Sequence, residues 1–339
     1  MTEPTPVPEI KPRHFPPPPP LAPKAPGLWR RTPPAIFPPL MGLFGLGLAW
    51  RTFATTAGLE ALAPIGEVIL GATLLLYAFS FVAFVSKPLR RPAVLIEDLR
   101  ILPGRAGSAA FALGMILSAA ALVPYTPDLA FWIVCAGMVL LAVVGILAAW
   151  VLLTGPAEQR LVSPVFHLTY VGYILAPLTL ARLGFVNTSL LILIATMVVA
   201  SLIYTASLHQ LATTTPPAPL RPLLAIHLAP ISLFTTVAAL IGWNDGAHLM
   251  VYAALAMLAL IAVLLPWILK AGVSPMWGAL TFPLAACATA VMLALPGQGV
   301  WIGAVLLLVA SALNPWVAVT VFKGWAKGDL AAKTNAATA

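Results

Sequence analysis

The chain has 339 residues, of which 61% are hydrophobic and only 8% charged. Soluble domains carry roughly a quarter of their residues as charge, so this composition excludes a water-dispersed globule and points to lipid as the solvent. The net charge of +8 does not signal a nucleic-acid partner, because the cations fall between apolar runs, where they report membrane topology.

Residues 1–34 hold thirteen prolines, including the run Pro16–Pro20. Such a segment buries too little apolar surface to offset its ordering entropy. It is expected to be a disordered cytoplasmic arm with polyproline II character.

Ten apolar runs follow over residues 35–322. They are 35–53, 65–86, 106–124, 129–153, 164–183, 188–208, 222–241, 248–268, 274–295 and 300–322. About 20 apolar residues cross a hydrocarbon core as a helix. The runs lack the polar alternation of a transmembrane barrel strand. Residues 323–339 form an expected cytoplasmic tail. Cys135 and Cys287 both lie inside runs and lack the spacing of a disulfide framework or zinc site. No metal or cofactor is expected.

With ten spans, sixteen of the eighteen Lys and Arg fall on one side, and only Arg51 and Arg182 on the other. Such asymmetry places both termini in the cytoplasm. The expected location is the inner (plasma) membrane, and short loops make consecutive spans antiparallel hairpins.

The odd runs carry the helix breakers: Pro38, Pro39, Gly42, Gly45 and Gly47 in the first, Gly114 in the third, Gly172 and Pro177 in the fifth, Pro230 in the seventh and Pro283 in the ninth. In the even runs Pro266 and Pro315 lie towards ends. Interior proline removes a backbone hydrogen bond at about 3 kcal/mol, and lipid cannot repair it. Irregular backbone at membrane depth therefore faces protein or a watery cavity. The odd spans are the expected inner ring and the even spans the lipid-facing shell. The Gly42–Gly47 spacing is no dinucleotide loop, since no strand precedes it; close helix packing or a narrow pore wall suits it better.

The stretches FPPLMGLFGLGLAWR (37–51), RPLLAIHLAPISLF (221–234) and SPMWGALTFPLAA (274–286) resemble the tellurite-resistance/dicarboxylate transporter family, which includes plant slow-type anion channels, fungal malate permeases and sulfite efflux proteins. The resemblance implies an all-α membrane protein of ten helices, in five hairpins around a central pore lined by the odd helices. It also implies a homotrimer and a pore plugged by a phenylalanine of the ninth helix. The matching residue is Phe282, beside the kink expected at Pro283. Relatives often carry a proline in the third helix; Gly114 or Met115 stands near that place here.

Phe282 reads as a gate or as a packing aromatic from its residues alone, and the resemblance favours the gate. Pro283, Pro230 and Pro177 are the expected gate-adjacent kinks, and Gly42, Gly45, Gly114, Thr281, His167 and His227 the candidate pore lining. Intramembrane histidines usually face an interior cavity, although interface-level or satisfied histidines remain the plainer reading. Of the hydroxyls at Thr281, Ser232, Thr235 and Thr179, Thr281 adjoins the gate. Glu67 and Arg51 are positioned to pair at the outer surface. Arg182 either attracts anions or snorkels to headgroups.

The leading expectation is a passive channel or facilitator for small inorganic or organic anions. One alternative is a proton-coupled C4-dicarboxylate, sulfite or tellurite transporter with His167 or His227 as proton site. Another is a receptor or assembly protein acting through the proline-rich arm. An enzyme is not expected: intramembrane catalysis needs a nucleophile–base set or a metal cluster, and the runs hold few histidines, no buried acidic pair and no HExxH-type spacing.

Overall fold

The computed structural model describes residues 27–339. Among the described residues the regular structure is entirely helical, with no strand. The α-helices are α1 (Phe37–Thr56), α2 (Ala63–Arg90), α3 (Ala93–Arg100), α4 (Leu102–Leu122), α5 (Pro127–Thr154), α6 (Pro177–Leu180), α7 (Val186–Thr213), α8 (Leu228–Leu240), α9 (Asn244–Ile268), α10 (Gly278–Ala294), α11 (Gln298–Ala326) and α12 (Asp329–Lys333).

Eight helical segments are long and apolar enough to cross a membrane: Glu60–Arg90, α4, α5, α7, Ala218–Leu240, α9, Pro275–Ala294 and α11. The chain is thus a membrane protein with several spanning helices. The first and fifth expected runs are not among the eight. The first forms α1, whose Gly, Pro, Thr and Arg content dilutes its apolarity. Most of α1 is buried, so it does not need a lipid-compatible surface. The fifth run is broken into a π turn (His167–Val171), a 3-10 turn (Gly172–Leu175) and the short α6.

Burial divides the segments into two sets. Within their most apolar stretches, α4, Ala218–Leu240 and Pro275–Ala294 are 89%, 78% and 67% buried. The other five are 17% to 33% buried, and their exposed surface is rich in Leu, Val, Ile and Trp. The buried segments close a ring. α1 packs on α4 and α10, α10 on α8, α8 on Gly172–Leu175 and α6, and these in turn on α4. Outside the ring, α2 lies on α1, α5 on α4, α7 on α6, α9 on α8 and α11 on α10.

The proline expectation needs correction. Pro177 is the first residue of α6, Pro230 the third of α8, and Pro38 and Pro39 lie in the first turn of α1. A first-turn proline sacrifices no internal hydrogen bond. These prolines mark where a 3-10 or π stretch gives way to α-helix, and do not kink a helix midway. Of the three expected kinks only Pro283 lies inside a helix. Pro315, expected near an end, lies well inside α11. α4 runs without interruption from Leu102 to Leu122.

Small residues set the helix contacts. A Cβ at Gly114 would collide with the Tyr77 ring, and one at Gly107 with the Pro34 backbone. Tyr77 donates to the Phe111 carbonyl at 2.8 Å. At one end of the bundle Arg51 clamps Glu67 through two bonds of 2.7 Å and caps the carbonyls of Ala120 and Ala121, tying α1, α2 and α4. The Arg51–Glu67 pairing was legible in the sequence.

At the other end Lys87 and Asp98 form a fully buried ion pair at 2.6 Å. Lys87 also donates to the Thr32 carbonyl, and Asp98 accepts from the Ala337 N–H. Burial raises the Asp98 carboxyl above its ordinary range, against the opposing pull of Lys87. The 87–105 connection is therefore structured around α3. Residues 323–339 extend α11, add α12 and return to Arg30 through the Ala339 N–H. Residues 1–26 of the expected arm lie outside the described residues. Its last part is ordered: Thr32 is buried, and Trp29 meets Phe79 edge to face.

Candidate functional site

Three narrow cavities lie between the ring segments, with volumes of about 40, 30 and 30 Å³. The first is bounded by early residues of those segments: Ala35, Pro38 and Met41, Pro103 and Ala106, Leu223 and Ile226, and 275–279. The third is bounded by later ones: Gly45, Leu48 and Thr52, Leu178 and Arg182, Leu233 and Thr236, and Ala286, Thr289 and Leu293. The second lies among Met41, Leu113, 167–175 and 226–233. Phe282 borders all three.

Each segment meets the cavities along one face. The lining positions Met41, Gly45, Leu48 and Thr52 of α1, and Phe282, Ala286, Thr289 and Leu293 of α10, recur at the three- to four-residue spacing of a helix face. The Phe282 ring is 6% exposed. It lies so close to α1 that a Cβ on Gly45 would stand 3.0 Å from its Cδ2. Pro283 shares the first cavity and Pro230 the second.

The other candidates divide. Gly45 is on the cavity face, but Gly42 is not: a Cβ there would strike Thr281, and its carbonyl accepts from Asn314 Nδ2 at 2.9 Å. Thr281 is fully buried in that α1–α10 contact and donates to the Gly278 carbonyl at 2.7 Å. Gly114 faces Tyr77 of α2. Gly42, Gly114 and Thr281 are thus packing residues, one position or more off the lining face. Ser232 and Thr235 bond their own helix, while the buried Thr179 hydroxyl has no partner.

The hydroxyls that do border a cavity are Thr52, Thr236 and Thr289. Stepping by three and four residues from Phe282 finds Thr289 in the sequence. Each donates to the carbonyl four residues back, at 3.0, 3.0 and 3.2 Å, a bond that serine and threonine trade readily for another acceptor. Arg182 stands at the third cavity and donates to the Leu178 carbonyl at 2.8 Å. Among the described residues no acidic side chain borders the three cavities.

His167 and His227 meet. His167 Nε2 lies 3.0 Å from His227 Nδ1, and His227 Nε2 lies 2.9 Å from Ser207 Oγ. His167 borders the second cavity, with its Nδ1 buried and unpartnered. Tyr204 fixes the assembly by donating to the His227 carbonyl at 2.6 Å. Ser207 lies twenty residues from His227, and no local spacing announces the pair.

A helical membrane protein with an apolar, acid-free line of cavities among its inner segments is the class these features define. The chain belongs to the voltage-dependent anion channel family (SLAC1), whose family model matches residues 31–322. It is therefore an anion channel or transporter of the membrane, in agreement with the resemblance carried by its first, seventh and ninth apolar runs. No curated protein matches the chain.

Proposed function

We propose that the chain is a ten-span passive channel or facilitator. Small anions pass along the axis of its five inner segments, and Phe282 closes that path in the conformation described. One observation carries this reading: a single aromatic ring borders every cavity along the axis. An apolar ring at a narrow point blocks ions by bulk and by excluding water, since a charge stripped of hydration in an apolar setting is very unfavourable. The acid-free lining and Arg182 favour anions over cations.

On this reading the ring of α1, α4, the 167–180 segment, α8 and α10 is the inner half of five hairpins. Both termini lie in the cytoplasm, by the charge asymmetry, and the membrane is the inner (plasma) membrane. The homotrimer rests on the family resemblance. The protein moves its solute without chemistry on it and needs no cofactor. The test is a panel of chloride, nitrate, sulfite, malate and tellurite on purified, reconstituted protein. Anion-selective currents that rise in Phe282→Ala support the reading.

A second reading, proton-coupled transport, is favoured by the hydrogen-bonded chain of Ser207, His227 and His167 ending at an axial cavity. It requires flux to follow a proton gradient.

A further inference from the structure

The largest of the described cavities, about 460 Å³, is not one of the axial three. It lies beside them, between the first turn of α4, the 159–164 connection, the last turns of α7 and the 3-10 segment 218–227. Its wall is largely leucine and proline, with Arg100, Arg105, Gln159, Ser163, Ser207 and Gln210 as its functional groups.

Arg105 is the unusual member. It is only 8% exposed, and its Nε and Nη1 are buried without a hydrogen-bond partner. Gln159 Oε1 and Ser163 Oγ border the same cavity and are also buried and unpartnered. No other place among the described residues gathers as many such atoms. Gln159 also carries an amide NH2 donor.

Guanidinium stays charged at any physiological pH. A buried unpaired polar group is costly, and a buried unpaired charge more so. Elsewhere the fold meets this requirement: Lys87 has Asp98, and Arg51 has Glu67. Around Arg105 no carboxylate lines the wall among the described residues. Water can serve its N–H groups but cannot neutralise its charge. An anionic ligand would supply that counter-charge. A planar, fork-shaped donor beside hydroxyl and amide donors suits an oxyanion, and the leucine wall tolerates a short apolar tail.

We propose that this lateral cavity binds the oxyanion group of a ligand, a carboxylate or phosphate, on Arg105 with Ser163 and Gln159 completing the donor set, separately from the axial path. Two sources carry that chemistry, a soluble anion and the headgroup of an anionic lipid. The site does not depend on conduction, so failure of the pore reading leaves it standing.

The experiment uses the full chain in nanodiscs. In discs of phosphatidylcholine alone, radiolabelled sulfate and acetate are titrated to equilibrium. Discs containing phosphatidylglycerol form the lipid arm, read by the midpoint of thermal unfolding and by displacement of the soluble probes. The site predicts saturable binding of one oxyanion per chain, or a phosphatidylglycerol-dependent rise in the midpoint. Arg105→Gln lowers the soluble affinity at least tenfold, or abolishes the lipid effect, and Ser163→Ala weakens either several-fold. Phe282→Ala leaves both unchanged, because Phe282 does not border this cavity.

Absence of both effects in the unmodified chain overturns the proposal. So does binding that survives Arg105→Gln, or binding lost in Phe282→Ala, which would place the anion on the axis. Should Arg105→Gln fail to assemble, Ser163→Ala decides: a several-fold loss supports the site and unchanged binding refutes it.

Discussion

Replacing Phe282 with alanine separates a gate from a core aromatic, because the two roles predict opposite pairings of stability and flux. Phe→Ala in a close-packed core costs about 3–5 kcal/mol through lost transfer energy and the hole left behind. The Phe282 ring borders three small cavities of about 40, 30 and 30 Å³. The ring is nonetheless only 6% exposed and packs closely on α1, so the cost belongs in the middle of that range, about 4 kcal/mol. Flux should move much further. Each 1.4 kcal/mol of barrier is tenfold in rate, so a constriction that adds about 4 kcal/mol holds flux down nearly a thousandfold. Truncation joins the three spaces, and the anion current in lipid bilayers should rise at least a hundredfold. Phe282→Leu keeps apolar bulk and should rise about tenfold. The reasoning is refuted if Phe282→Ala unfolds more easily by 3 kcal/mol or more while its current stays at the level of the unmodified protein.

Three further outcomes are expected. Lys87→Met strands the buried Asp98 and should cost about 3–5 kcal/mol, read as a lowered unfolding midpoint. That deficit should shrink as pH falls: the folded carboxyl titrates above its ordinary value of 3.8, so its neutral form favours the fold at low pH and the benefit is lost as pH rises through the folded pKa. On the channel reading, His167→Asn should leave the reversal potential at the anion equilibrium value under an imposed proton gradient. A gradient-dependent shift in the unmodified protein that His167→Asn removes would establish the proton-coupled reading instead. Deleting residues 1–26 should leave flux in liposomes within about twofold, whereas an adaptor working through the arm would lose its activity.

The membrane class and the apolar helices were legible because hydropathy is a local property of the chain. The proposed role of Phe282 comes from the family resemblance and its place beside the cavities, not from its neighbours in sequence. The errors came from rotation about helix axes. Thr281 and Phe282 are adjacent in sequence but differ by about 100° around a 3.6-residue turn, so one enters the α1–α10 contact and the other the axis. Gly114 was read as lining because glycine suits a narrow wall, yet it accommodates the Tyr77 ring from α2. The prolines were read as mid-helix kinks because run boundaries do not reveal where 3-10 backbone yields to α-helix. Ser207 beside His227, Asn314 on the Gly42 carbonyl and the unpartnered Arg105 are products of long-range packing. No spacing rule reaches across those separations.

The central claim is that the space on one side of Phe282 is cut off from the space on the other. Met276 borders the first cavity and Thr289 the third, on the same stretch of chain with Phe282 between them. With Cys135 and Cys287 replaced by alanine, Met276→Cys and Thr289→Cys are each reconstituted and exposed to an anionic, membrane-impermeant thiol reagent from one face at a time. The account predicts that the two cysteines react from opposite faces only, and that adding Phe282→Ala lets each react from both. Reaction of either cysteine from both faces with Phe282 in place would contradict it, as would an unchanged one-sided pattern in the Phe282→Ala background.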